Sequence, residues 1–272
     1  MKKAFTITEL LVAVGLLAVV LAAAGMVFNY SIDAQRMASA TADIMRTLRA
    51  ITGQINIDFE GLRTDGYLVL RSESDGNNFD ALYFFSTGDF QSWHDSDRRS
   101  NIARIFLGHD RTTFTSRGLQ GNLARDAHLL TPGYRGLDYN DANFAACQVD
   151  IKNELKEDPN LVLSTDRPDT NSTPDANNVR SLFAQNVGSL KIEWTTDKSS
   201  WIEPNQIEWF GRDNRNGGAF ENPTADPYYL AYWSPLNQPE WPKALKFTFT
   251  LYDSKGILKG GRRFEHIVYI GQ

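Results

Sequence analysis

The pattern of hydrophobic and polar positions changes twice along this chain, and the first change lies in its amino-terminal quarter. No charged side chain occurs from Leu10 to Ile32, and Leu10 to Phe28 is almost entirely Leu, Val, Ala, Gly, Met and Phe. A helix needs about 20 such residues to cross the hydrocarbon core of a bilayer. The pattern therefore predicts a membrane-spanning helix.

Beyond this run charged residues return, and the apolar positions recur at spacings of three and four. The apolar stripe consists of Met37, Thr41, Ile44, Leu48, Ile51, Ile55 and Phe59. Such spacing places side chains on one face of a helix. Because no proline occurs before Pro132, we expect one uninterrupted helix from Thr6 to Phe59, roughly 80 Å long at 1.5 Å per residue. Gly61 predicts its end.

After the helix, the period changes to the alternation and short apolar runs that are typical of β-strands. The candidate strands are Tyr67–Leu70, Ala81–Phe85, Ile102–Leu107, a weaker Leu161–Leu163, Leu190–Trp194, Leu245–Leu251 and Phe264–Ile270. Turn residues separate the last two runs, so we expect an antiparallel sheet at the carboxyl end. The predicted fold class is α+β: a long amino-terminal helix, transmembrane in its first half and amphipathic in its second, packed on an antiparallel β-rich head.

Charges flank the apolar run at its amino end. Lys2 and Lys3 precede it, and positive charges of this kind stay on the cytoplasmic side, which places the bulk of the chain on the other side. Glu9 lies at the mouth of the run, where a carboxylate near membrane depth normally has a partner. No cation inside the run can serve, but cleavage between Ala4 and Phe5 would create an α-amine close to Glu9.

The residues Lys2-Lys3-Ala4-Phe5-Thr6-Ile7-Thr8-Glu9-Leu10-Leu11-Val12 resemble the type III signal of prepilins and type II secretion pseudopilins. The resemblance implies that a prepilin peptidase cuts between Ala4 and Phe5 and that the new amino terminus is methylated. It also implies that Glu9 pairs with the terminus of a neighbouring subunit during filament assembly. Ala4 departs from the family, which usually has Gly there, but Ala is also small.

This resemblance divides the chain into four parts. Residues 1–4 would be the leader, 5–32 the transmembrane half of the helix, 33–61 its amphipathic half, and 62–272 the β-rich periplasmic or extracellular head with long loops. Two readings from the residues alone remain open beside it: an ordinary secretory signal with Ala22-Ala23-Ala24 as its cleavage site, and an uncleaved single-span anchor. Both leave the position of Glu9 unexplained.

The carboxyl third carries a second, weaker resemblance. The stretches Asn186–Ile192 and Trp241–Phe247, with the closing run Phe264–Ile270, look like J-type minor pseudopilins and PilW-like minor pilins. The implied function is a structural minor subunit that assembles into or caps a type II secretion pseudopilus or a type IV pilus. The implied partners are the prepilin peptidase, other pilin or pseudopilin subunits, the inner-membrane assembly platform and the lipid bilayer. The implied location is the bacterial inner membrane, with the head in the periplasm, and afterwards the filament.

The composition and the motifs of the chain argue against several other functions. The chain has 28 Lys and Arg against 33 Asp and Glu, so no basic surplus recommends nucleic acid as a partner. Cys147 is the one cysteine, which excludes an intrachain disulfide. The sequence contains no metalloprotease, hydrolase or phosphate-loop motif, and its four histidines are scattered. We therefore expect no enzymatic activity and no cofactor.

Two acidic segments bear on metal binding. Trp93-His94-Asp95-Ser96-Asp97 and Asp138-Tyr139-Asn140-Asp141-Ala142-Asn143 cluster the oxygen donors that calcium prefers. Neither has the spacing of a complete calcium loop, and Asp and Asn are also common turn residues. A weak calcium prediction therefore stays beside the turn interpretation.

The segment 194–241 is rich in aromatic residues and prolines. Packing in the core is the favoured interpretation, because buried aromatic side chains dominate domain cores. The alternative is a recognition surface, which would make the chain an adhesive or substrate-binding subunit at a filament tip. A more distant alternative is a membrane-anchored periplasmic enzyme or sensor, which would need a deep pocket with convergent polar groups.

Overall fold

In the computed structural model, the described residues are 6–73, 79–91, 99–109, 121–129, 182–196, 207–211, 228–233, 240–258 and 260–271. They form one helix and eight strands, an α+β fold. In chain order the elements are α1 (Ile7–Glu60), β1 (Leu68–Glu73), β2 (Asp80–Gln91), β3 (Arg99–His109), β4 (Gly121–Leu129), β5 (Leu182–Thr195), β6 (Tyr228–Trp233), β7 (Ala244–Leu251) and β8 (Arg262–Tyr269).

The helix α1 is continuous over 54 residues, as the absence of proline predicted. Its apolar stripe packs on the head through Ile44, Ile51, Ile55 and Phe59, all of which are buried. Met37 was predicted to belong to this stripe, but its side chain is 52% exposed. The prediction is wrong there because burial of the helix against the head begins one turn later, at Ala40, which is the first buried residue of the helix.

All eight strands belong to one sheet in the order β6-β1-β2-β3-β4-β5-β7-β8. Every neighbouring pair is antiparallel. The sheet curls into a half-barrel, so that the start of β2 reaches β5 across the inner face. There Phe79 forms a bridge with Leu190, and the Asp80 carboxylate accepts a hydrogen bond from the backbone N–H of Ile192 at 2.6 Å.

The core lies between the inner face of this sheet and the second half of α1. Phe59 stacks on Phe84 of β2 with 4.4 Å between ring centroids and meets the edge of Phe247 of β7 at 5.8 Å. In β7 the alternating residues Leu245, Phe247 and Phe249 are fully buried, which follows from the two-residue period of a strand. The helix therefore docks both on a strand that follows it closely in the sequence and on one near the carboxyl end.

The sequence prediction of the sheet was incomplete in two strands. Neither β4 nor β6 was predicted, and the sheet is not confined to the carboxyl end, because β1 to β4 continue it. In β4 the inner-face positions are Leu123, Arg125 and Ala127, and the charged Arg125 interrupts the apolar alternation. The strand β6 lies within the aromatic and proline-rich segment 194–241, where prolines on both sides of it disfavour a strand. The candidate strand Leu161–Leu163 lies outside the described residues.

Candidate functional site

The amino end of α1 is closed by a capping box. Thr6 is the N-cap residue, and its Oγ1 accepts a hydrogen bond from the backbone N–H of Glu9 at 3.4 Å. In return, the Glu9 carboxylate accepts from the backbone N–H and the hydroxyl of Thr6, each at 3.0 Å. This reciprocal arrangement satisfies donors that the first turn of a helix otherwise leaves open. Glu9 therefore has a partner within its own chain; Ala4 and Phe5 lie outside the described residues.

The first half of α1 presents apolar side chains on every side. By length and composition the helix is suited to cross a membrane. No residue is buried in the 18-residue apolar stretch that would do so. Its large exposed side chains are Leu10, Leu11, Val12, Val14, Leu16, Leu17, Val19, Val20, Leu21, Met26, Val27 and Phe28, each 58–69% exposed. An exposed apolar surface of this extent marks a site of contact with lipid or protein.

The other end of α1 is locked to the head by a buried ion pair. Arg125 of β4 donates two hydrogen bonds to the carboxylate of Asp58, both at 2.6 Å. Gln54, one turn earlier on the helix, donates to the same carboxylate at 2.9 Å, and the Ser86 hydroxyl donates to the Asp58 carbonyl at 2.8 Å. The two-pronged geometry is the strongest form of an arginine–carboxylate contact.

A second polar contact joins α1 to the edge strand β8. Nε2 of His266 lies 2.8 Å from Oδ1 of Asn56, and Arg262 donates to the Thr41 hydroxyl at 3.2 Å. Burial lowers the pKa of His266 below its ordinary value of 6.5, because a less hydrated site disfavours the charged ring. His266 thus occupies a packing position on an edge strand, against α1.

The described part of the aromatic segment lies mainly in the core. Trp194 and Trp233 are fully buried and meet edge to face at 5.0 Å, and Phe210 packs on Trp194 at 4.9 Å. Trp209 lies nearer the surface, with the ammonium of Lys246 4.6 Å from its ring centroid. For these residues the packing interpretation holds; Trp201 and the side chains of Tyr228, Tyr229 and Tyr232 lie outside the description.

Comparison of this chain with protein-family models, with curated proteins and with solved structures found no match. What the chain does must therefore be argued from its own residues and geometry.

The remaining candidates for a site are the two predicted calcium segments and the grooves on the surface of the molecule. The two candidate calcium segments, Trp93–Asp97 and Asp138–Asn143, lie outside the described residues. Among the residues that the structure describes, no group of three His, Cys, Asp or Glu side chains is placed to hold a metal ion. Two open grooves run along α1, one of about 370 Å³ beside the β7–β8 turn and one of about 410 Å³ between the helix, the beginning of β5 and the end of β7.

Sequence reasoning missed the residues that fix α1 at both of its ends. The pattern Thr6-x-x-Glu9 before an apolar run is a capping-box signature, so that signal was present in the sequence. The contact between Asp58 and Arg125 joins positions 67 residues apart. Nothing in the local sequence distinguishes these two charges from solvated surface charges.

Proposed function

We propose that this chain is a structural minor pilin or pseudopilin. In this proposal it is held in the bacterial inner membrane by the first half of α1 and assembles into, or caps, a type II secretion pseudopilus or a type IV pilus. Its partners are the prepilin peptidase, other subunits of the same class and the inner-membrane assembly platform.

The observation that carries the proposal is the division of α1 into two halves. The helix is continuous from Ile7 to Glu60, yet its buried residues begin only at Ala40. An apolar stretch that its own head leaves uncovered needs another apolar environment. Lipid supplies that environment before assembly, and the apolar helices of neighbouring subunits supply it within a filament.

Glu9 gives the apolar half a means of docking in register. In the single chain its carboxylate accepts hydrogen bonds from Thr6 at 3.0 Å. Cleavage between Ala4 and Phe5 would place a positive α-amine one residue before Thr6. A neighbour's amine can then replace the hydroxyl contact with a charge pair, which is strong in an apolar surrounding because the dielectric constant is low.

The processing step has a direct test. Intact-mass analysis of the membrane-extracted protein should show loss of Met1 to Ala4 and the addition of one methyl group. Cells that lack prepilin peptidase provide the control and should yield the unprocessed mass. An intact leader in cells with an active peptidase would contradict the proposal.

The charge of Glu9 can be separated from its capping role. Glu9→Gln keeps the hydrogen bonds of a capping box, which accepts Glu or Gln at this position, but it removes the charge. We therefore expect Glu9→Gln to reduce incorporation into filaments as severely as Glu9→Ala, measured as the fraction of the subunit recovered in sheared or pelleted filaments. Incorporation of Glu9→Gln at the wild-type level would show that Glu9 acts as a helix cap alone.

A further inference from the structure

We propose that the groove beside the β7–β8 turn binds the phosphate of a phospholipid headgroup from the bilayer that α1 spans. This inference rests on the membrane placement in the proposed function. The groove has a volume of about 370 Å³ and is lined by Gln35, Arg36 and Ser39 of α1 and by Lys255 and Ile257 of the turn.

The lining chemistry fits a phosphate ester. Arg36 and Lys255 supply two cations, and Gln35 and Ser39 supply an amide and a hydroxyl that can donate hydrogen bonds. Among the described residues that line this groove, none is a carboxylate. Ile257 adds an apolar wall, which suits the glycerol and first acyl carbons beside the phosphate.

The level of the groove along α1 matches the headgroup layer. The uncharged run ends at Ile32, and at 1.5 Å per residue Arg36 lies about 6 Å and Ser39 about 10 Å beyond it. The polar layer on each side of the hydrocarbon core is roughly 5–8 Å thick. A helix that spans the membrane with this run therefore brings Arg36 into the layer of the lipid phosphates, with Ser39 just beyond its outer edge.

The turn holds Lys255 in place. The Asp253 carboxylate accepts hydrogen bonds from the backbone N–H groups of Ile257 and Leu258, each at 2.8 Å, and the N–H of Gly256 donates to the Asp253 carbonyl at 3.2 Å. Gly256 adopts a φ of +67°, a conformation that favours glycine. These hydrogen bonds to Asp253 fix the backbone of the turn that carries Lys255.

Arg36 keeps donors for a ligand. Its nearest described ion-pair partner is Asp33, at 3.8 Å, and both side chains are about two-thirds exposed. A contact at this distance lies beyond hydrogen-bond range. The guanidinium therefore has N–H groups available to face a phosphate.

The test titrates the full chain in mild detergent with phosphatidylglycerol and counts bound lipid by native mass spectrometry. Near an anionic surface each Lys or Arg contributes about fivefold in affinity, so Arg36→Gln combined with Lys255→Gln should weaken binding roughly 30-fold. Arg49→Gln removes an exposed cation of the same helix outside the groove, and its affinity should stay within about twofold of wild type. Equal affinity of the double variant and the wild type would overturn the proposal.

Two further ligands identify what the groove recognises. Diacylglycerol, which lacks the phosphate, should not bind, and inorganic phosphate should compete only weakly because it lacks the glycerol and acyl contacts. Binding of diacylglycerol as tight as that of phosphatidylglycerol would overturn recognition of the phosphate. Inorganic phosphate that binds as tightly as the lipid would overturn the lipid as its source.

A separate measurement keeps this inference distinct from the proposed function. Alkaline carbonate washing of membranes reports whether α1 is inserted, and the double variant should stay in the membrane pellet like the wild type. Release of the wild type by carbonate would contradict membrane insertion and with it both proposals. Retention of both proteins with equal lipid affinity would contradict the headgroup site alone.

Discussion

At the scale of single residues, the contact between Asp58 and Arg125 has the largest structural consequence. The Asp58 side chain is 6% exposed and that of Arg125 is 20% exposed. Removing one partner of a buried ion pair leaves an uncompensated charge, which lowers the free energy of unfolding strongly. Replacing both partners by apolar side chains changes that free energy much less. The pair therefore specifies where the end of α1 sits on β4.

Asp58→Ala should lower the free energy of unfolding of the head by about 3–5 kcal/mol, because the mostly buried guanidinium of Arg125 then has no carboxylate beside it. The measurement is urea unfolding of the full chain in detergent. Combining Asp58→Leu with Arg125→Met should recover most of the loss, since neither charge then remains.

The exposed pair Asp33–Arg36 on the same helix is the control for this experiment. Asp33→Ala should change the free energy of unfolding by less than about 1 kcal/mol, as is usual for a solvated ion pair. A loss after Asp58→Ala no larger than that after Asp33→Ala would contradict a structural role for the buried pair.

At the scale of elements, α1 has room for a larger side chain at Gly53 but none at Gly61, where the helix ends. A Cβ added at Gly53 would meet no atom within 4 Å. A Cβ added at Gly61 would lie 2.1 Å from the backbone oxygen of Thr87, whose N–H donates to the Gly61 carbonyl at 2.7 Å. Gly61 has a φ of −89°, which other residues also adopt. It is therefore close approach of β2 that requires glycine at this helix end.

Two glycine substitutions in α1 should act in opposite directions. Gly53→Ala should raise the free energy of unfolding by about 0.5–1 kcal/mol, because alanine favours the helix interior. Gly61→Ala should lower it by roughly 1–3 kcal/mol, because the added methyl group displaces the backbone of β2. Urea unfolding of both variants beside the wild type is the measurement. Equal changes in the two variants would refute the close approach at Gly61.

At the scale of the whole molecule, acid should weaken the head through two groups far apart in the sequence. Burial lowers the pKa of His266, which joins β8 to α1. For Asp253 burial would raise the pKa, but the N–H groups of Ile257, Leu258 and Lys255 outweigh it and hold the pKa below its ordinary value of 3.8. In both cases the unfolded chain binds the proton more readily than the folded chain, so stability falls as pH falls.

The free energy of unfolding should therefore decline as pH drops below about 6.5 through His266, and again below about 3.8 through Asp253. His266→Gln should flatten the first decline, because the ring that titrates is gone. Asn56→Ala removes the hydrogen bond but keeps the ring, so it should retain the decline. Urea unfolding midpoints of the three proteins between pH 7 and 5 measure the first decline. If the pH dependence of His266→Gln equals that of the wild type, groups other than His266 cause the decline.

How far the sequence predicts this molecule depends on the range of the interaction. The helix and most strands follow from periodicity, which local side chains set. The strand β4 was missed because Arg125 interrupts its apolar face, and its true partner Asp58 is distant in sequence. Met37 was assigned to the buried stripe because periodicity reports a helix face but not how far the head extends along it.

The sequence by itself determined the long apolar helix, its amphipathic continuation, the α+β class and the position of Glu9 at the start of α1, because each depends on neighbouring residues. Only the tertiary structure decided that all eight strands of the head form one curled sheet, that Asp58 meets Arg125, and that Lys255 and Arg36 line the same groove. These contacts join residues far apart in sequence, so chain folding alone brings them together.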